Sequence, residues 1–220
     1  LGTIGKIVRS SLSRGGARKS KKSPAPELEK GTFDYIREPK SDCFSVGFAK
    51  TDVMPDDMDK TAYYVAGYRM NNPAKGVLDP MTASAVWIDD LSGRGGVVFV
   101  SIDDIGLTNY DVGIIRDLLA GFKKESGCRS INIMSIHNHA SIDTVGLWGP
   151  LPRSGRNKKY MELLAQKVKQ VVFDAYNDRR DGDLYYGKKE AEAIQRDSRL
   201  PEVYSKDVHR FRFVPKDGSR

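Results

Sequence analysis

Cysteine is nearly missing from this 220-residue chain. Cys43 and Cys128 stand far apart, so there is neither a disulfide scaffold nor the close pairing of a metal knuckle. No stretch approaches the ~20 apolar residues that a membrane-spanning helix needs. The first residues also lack the apolar core of a secretory signal. Histidine is scarce too, with three in the whole chain. Two of these three, His137 and His139, fall within one tripeptide.

What is present is positive charge, a formal +7 overall. Residues 1–30 carry eight basic and two acidic side chains, which accounts for all but one of those charges. A nucleic-acid-binding fold places its basic patch on the folded face, so nucleic acid is not the expected partner. Residues 1–42 are rich in Ser, Gly, Pro, Lys and Arg and read as a basic, disordered linker or tail. Such a tail could also touch an anionic membrane surface, each basic residue being worth about 1 kcal/mol there. Residues 43–220 form the expected ordered part. Leu1 is not an initiator methionine, and the turn Pro215-Lys216-Asp217-Gly218 has no strand after it. Both suggest a segment of a longer polypeptide, whose signal or anchor would lie outside this chain.

Apolar periodicity then orders the chain. Phe44, Val46 and Phe48 alternate as in a half-buried strand. Residues 51–80 read as long loops holding Tyr63, Tyr64 and Tyr68, placed either to cover a site or to pack on the core. Ala83–Ile88 and Val97–Ile102 read as hairpin-linked strands, the second a near-continuous apolar run expected to be covered on both faces. A helix capped by Thr108 or Asn109 carries Val112, Ile115, Leu118, Leu119 and Phe122 on one stripe and ends at Gly127. Ile131–Ile136 is the next strand. Strand, helix and strand so close together form a βαβ unit with parallel strands. A longer helix over about 157–176, a strand over 184–191 and an alternating strand through His209, Phe211 and Phe213 complete an α/β fold. It has a mixed β-sheet, a βαβ unit and flanking helices.

That βαβ unit locates the chemistry. Ligands of open parallel sheets gather beyond the carboxyl ends of the strands. Those ends are Asp103-Asp104 and His137-Asn138-His139. Two histidines two residues apart project from one face of an extended backbone, a spacing that suits a divalent metal or one ligand beside an acid–base group. His209 lies within a strand and reads as structural. Cys128 reads as a small core residue, and no nucleophile elbow surrounds Ser135 or Ser141. Gly93-Arg94-Gly95-Gly96 precedes a strand rather than a helix, so it is no phosphate cradle.

Four segments then resemble the N-terminal catalytic region of the neutral/alkaline, non-lysosomal ceramidase family. They are Val46–Asp52 with Gly67-Tyr68, Val98–Asp103, Ser135-Ile136-His137-Asn138-His139, and Arg196-Asp197-Ser198-Arg199 leading to Arg210–Phe213. The resemblance runs from about residue 43 to 220 and implies a fragment of a larger catalytic domain. It implies a Zn2+-dependent amidohydrolase acting on the N-acyl bond of ceramide or a related N-acyl lipid. His137 would be a zinc ligand and His139 the second catalytic group. Asp103 would be a carboxylate that orients an imidazole, and Arg199 (or Arg196) would line the site. The family's further ligands, a second His, a Glu and a Tyr, fall beyond the segment matching 208–220, so this fragment alone is expected to be inactive. Ala140-Ser141-Ile142 stands where the family usually has Ser-Gly-Pro. The complete protein is expected outside the cell or at a membrane. The competing reading is a non-catalytic lipid- or partner-binding module of the same fold.

Overall fold

The computed structural model describes residues 41–219. The tail expected over residues 1–42 lies almost wholly outside them.

Six strands form one mixed sheet: β1 (Phe44–Asp52), β2 (Thr82–Asp89), β3 (Val97–Ile102), β4 (Ser130–Ser135), β5 (Arg180–Glu190) and β6 (Asp207–Pro215). Their order is β4-β3-β2-β1-β5-β6. Only β3 and β4 run parallel, with Val98 beside Ile131 and Ile102 beside Ser135. That parallel pair is the βαβ unit read from the sequence. The other neighbours are antiparallel, the hairpin between β2 and β3 being closed by the turn around Ser92–Gly96.

The crossover from β3 to β4 contains two helices where the apolar stripe suggests one. Helix α1 (Asn109–Leu118) starts on a reciprocal cap: Thr108 Oγ1 accepts from the Asp111 amide, and the Asp111 carboxylate accepts from the Thr108 amide. At Leu119 the backbone leaves helical geometry, with φ −100° and ψ 4°, before α2 (Ala120–Ser126) begins. The offset lets Leu119 and Phe122 both reach the core, where each is buried. Gly127 ends α2 with φ 69°, in the left-handed region where a residue without Cβ fits. Helix α3 (Lys158–Asn177) is capped by Asn157, whose side chain accepts from the Tyr160 amide. It lies across β1 and β2. Gly47 permits that approach, because a Cβ there would strike the Ala175 carbonyl of α3.

The core sits between sheet and helices. Trp87, Val98, Val100 and Ile102 meet Leu119, Leu164, Val168, Val171 and Val172 there. Trp87, Phe122, Phe173 and Tyr176 pack edge to face. The opposite sheet face is not covered by these helices, which corrects the expectation for Val97–Ile102. Phe99 is 40% exposed beside Val86 and Asn132. The run is apolar on both faces, but only alternate residues meet a helix.

Candidate active site

Three loops meet at one end of the sheet. Asp52 at the end of β1 pairs with Thr82 at the start of β2, and Ile102 ends β3 beside Ser135 of β4. The connections 53–81, 103–108 and 136–157 all leave from that end. The two histidines therefore lie beyond the carboxyl ends of the parallel strands, as the topology requires.

Three consecutive carbonyls after β3 hold the histidine loop. The Asp104 oxygen accepts from the Asn138 amide at 3.1 Å. The Ile105 oxygen lies 2.6 Å from His137 Nδ1, and the Gly106 oxygen accepts from Thr144 Oγ1 at 2.6 Å. A carbonyl can only accept, so His137 carries a proton on Nδ1, and in the neutral ring Nε2 is the nitrogen that keeps its lone pair. His137 itself has φ 60°. A left-handed conformation is uncommon for a histidine and concentrates at functional sites.

This corrects the extended geometry expected for the tripeptide. Strand β4 ends at Ser135, and the rings come together through the left-handed turn at His137. Their centroids are 5.2 Å apart and their planes perpendicular. His139 stacks on Tyr68 at 5.0 Å and meets Trp148 edge-on at 6.5 Å. Its Nδ1 is buried without a hydrogen-bond partner. Gly67 makes room for this ring: it has φ 148°, and a Cβ there would lie 2.8 Å from His139 Nδ1.

The loop over His139 is tied down. The Ala66 amide donates to the Ser141 carbonyl, Asp143 to Tyr64, and Asn71 to Trp148. The buried Asp143 carboxylate accepts from the amides of Val145, Gly146 and Trp148. Behind it, Arg156 bridges the Asp111 carboxylate and the Thr144 carbonyl. Burial alone would raise the Asp111 pKa, but hydrogen bonds from Arg156 and Thr108 outweigh it and hold the carboxyl below its ordinary range.

The remaining site expectations fall elsewhere. Asp103 does not orient an imidazole through Oδ2, which accepts from both the amide and the hydroxyl of Thr82. The contact that orients His137 comes from the Ile105 carbonyl. Arg199 lies in the connection between β5 and β6. Its amide donates to Asp197, which also accepts from Val203. In β-register that connection runs out past Phe44, the end of β1 opposite the histidines. Arg199 and Arg196 are thus not brought to the imidazoles by this sheet. His209 accepts or donates a 2.7 Å bond with the Tyr186 hydroxyl and stacks on its ring, a local contact within the hairpin. Cys128 is buried as expected, and burial raises its thiol pKa.

Asp104 is a different case. It is fully buried and neither carboxylate oxygen has a hydrogen-bond partner. Burial, joined by the nearby charges of Asp103 and Asp111, pushes its pKa up to about 6. Ser135 and the Gly106 amide favour the charged form without completing a bond to it. The Tyr160 hydroxyl, also buried and unpartnered, is held neutral by burial and then by Asp104. The sequence marks Asp104 only as part of a polar strand end and Gly67 only within a matching segment, and no spacing singles out Trp148 or the Ile105 carbonyl. Their roles arise from contacts between distant segments.

An α/β fold of this kind is also found in solved structures. One is described as "Ceramidase complexed with C2", with TM-score 0.60 and 18% identity. Another is neutral ceramidase from Pseudomonas aeruginosa, with TM-score 0.59 and 16% identity. Each match covers 80% of this chain, and 29% and 30% of the respective neighbours. The chain thus has the fold of the corresponding part of neutral ceramidase and spans under a third of those proteins. No protein-family sequence profile matches it, and no curated protein does.

Proposed function

We propose that this chain is the histidine-bearing portion of a zinc-dependent amidohydrolase that cleaves the N-acyl bond of ceramide or a related N-acyl lipid. The observation that carries the reading is His137, held by Ile105 with Nε2 free and His139 beside it, on the fold shared with neutral ceramidase structures.

The donor set fits zinc in part. A neutral imidazole with a free Nε2 is a common zinc ligand, and a carbonyl on its other nitrogen is the usual means of orienting it. Among the described residues no group of three or more His, Cys, Asp or Glu side chains is placed to hold a metal. His137 would therefore be one ligand, with the others coming from outside these residues. A bound zinc ion supplies Lewis-acid chemistry to an amide.

The chain's own contribution is positional. Ile105 fixes the tautomer and direction of His137. Tyr68 and Trp148 fix the ring of His139, which stands close enough to shuttle a proton or donate to a developing oxyanion. Asp103 receives no part in this reading, since Thr82 holds its Oδ2, and Arg199 none, since the β5–β6 register carries it past the opposite end of β1. Its setting would be outside the cell or at a membrane, where such lipids are met.

The absence of further ligands beside His137 among the described residues favours one other reading, a binding module of the same fold without catalysis. Metal analysis and hydrolysis of a short-chain N-acyl sphingoid amide by the complete protein, with the ligands that lie outside these residues, separate the two. We expect stoichiometric zinc and turnover, both lost in His137→Ala. Turnover and zinc content unchanged in that variant would overturn the proposal. A zinc-free protein that still binds the lipid would establish the module.

A further inference from the structure

We propose that Asp143 is the positioning residue for His139: its buried carboxylate decides where that imidazole stands, acting through Trp148 and the loop that carries Tyr68. Its share in turnover rests on the amidohydrolase reading of the site, while its hold on the ring does not.

The two imidazoles are held by different means. His137 is fixed by a hydrogen bond between Nδ1 and the Ile105 carbonyl. His139 has its Nδ1 buried without a partner, so that nitrogen does not orient the ring. Packing does so instead. Tyr68 stacks on one face at 5.0 Å, Trp148 stands edge-on at 6.5 Å, and Gly67 lies against Nδ1 and Cβ. Whatever places those three residues therefore places His139.

Asp143 is where their segments join. Its amide donates to the Tyr64 carbonyl at 2.8 Å, just before Gly67 in the chain. One carboxylate oxygen accepts from the Val145 and Gly146 amides at 3.1 and 2.6 Å. The other accepts from the Trp148 amide at 2.8 Å. The Trp148 carbonyl in turn accepts from the Asn71 amide, just past Tyr68. One buried residue thus joins the aromatic ring at the edge of His139 to the loop that stacks on its face.

The arrangement calls for a carboxylate. Asp143 is fully buried, and a polar group there needs hydrogen bonds to offset its lost hydration. An ionised carboxylate only accepts, so both of its oxygens can face amide donors. Asparagine would turn its own N–H2 toward one of those donors. Gly155 closes the other side, because a Cβ there would strike Oδ2 of Asp143. All of these contacts lie among the described residues, and none depends on what covers the loops.

The test compares Asp143→Asn with wild type in the complete protein, carrying carbon- and nitrogen-labelled histidine. We expect loss of the upfield shift that Tyr68 imposes on His139, with zinc content and the His137 tautomer unchanged. On a short-chain N-acyl amide, kcat should fall about tenfold or more while KM moves less than about twofold, because a displaced imidazole is missed in the transition state. Gly155→Ala displaces the same carboxylate from the other side and should reproduce the loss, which keeps the proposal testable if Asp143→Asn does not fold. Val171→Ala, a truncation in the core face of α3, should lower the unfolding temperature and leave His139 in place. An unshifted His139 resonance in both loop variants would overturn the inference, as would wild-type turnover with the ring displaced. Joint loss of zinc and of the His137 tautomer, or an equal His139 displacement in Val171→Ala, would also overturn it, since Asp143 would then serve the fold alone. A displaced His139 in a protein whose wild type never turns over would instead overturn the amidase reading and leave the positioning standing.

Discussion

His137 Nδ1 lies 2.6 Å from the carbonyl oxygen of Ile105, a residue 32 positions earlier in the chain. The bond decides which nitrogen of the ring faces outward. It joins the end of β4 to the loop after β3, so the chemistry of the site is set by parallel pairing of two strands.

The first prediction concerns that tautomer. Nitrogen NMR of the neutral ring should show His137 protonated on Nδ1 and bare on Nε2. The opposite tautomer would remove the orienting bond and with it the basis for calling His137 a ligand.

Gly67→Ala should disorganise His139. The new methyl would lie 2.8 Å from Nδ1 and 2.9 Å from Cβ of His139, closer than real Cβ atoms approach either. The backbone at φ 148° would also be strained, at a cost of roughly 1–3 kcal/mol. Loss of the upfield ring-current shift that Tyr68 imposes on His139 would report the displacement. An unshifted His139 resonance in a stable variant would show that the loop yields instead.

Asp104 should make stability depend on pH. Its pKa is raised to about 6 from 3.8, so the folded chain binds this proton more tightly than the unfolded one. Stability is then greatest below about pH 4 as far as this group is concerned, and falls as pH rises through 6, by roughly 3 kcal/mol. Asp103, Asp111 and the neutral Tyr160 face it, and none supplies a positive charge. Asp104→Asn should flatten that part of the urea-unfolding profile. An unchanged slope between pH 4 and 6 would show that another group titrates there.

The Asp111–Arg156 pair works in the opposite direction. Asp111 is held below its ordinary range, so its contribution is present above pH 4 and is lost as pH falls through the lowered value. Arg156→Met leaves a nearly buried carboxylate unpaired. It should cost about 3 kcal/mol, the lower end for a buried pair because Arg156 keeps some exposure. Thermal unfolding would measure it, and a shift near zero would show that solvent replaces the guanidinium.

Much of the fold was legible because periodicity is local. The stripe Val112–Phe122, the cap at Thr108 and the alternation around Phe211 each need only near neighbours. The break at Leu119 was not legible, since Leu119 and Phe122 are pulled to the core by partners outside the helix. Covering of β3 on one face only was equally hidden: Phe99 and Val98 are alike as residues, and only the sheet distinguishes their surroundings.

The site divides in the same way. His137 and His139 stood out by composition and by their position after an apolar strand. Asp103 stood out for the same reason, yet Thr82, its neighbour across the β2–β3 pair, holds its carboxylate. Arg199 belonged to a matching segment, but the β5–β6 register carries it past the opposite end of β1.

The sequence alone therefore determined where strands, helices and the imidazole pair occur, because those follow from side-chain patterns over a few residues. Only the tertiary structure decided which carbonyl meets His137, that Gly67 and Tyr68 shape the place of His139, and that Asp104 is left without a partner. Those outcomes depend on chain segments brought together by sheet register and burial, and no short window of sequence contains both sides of such a contact.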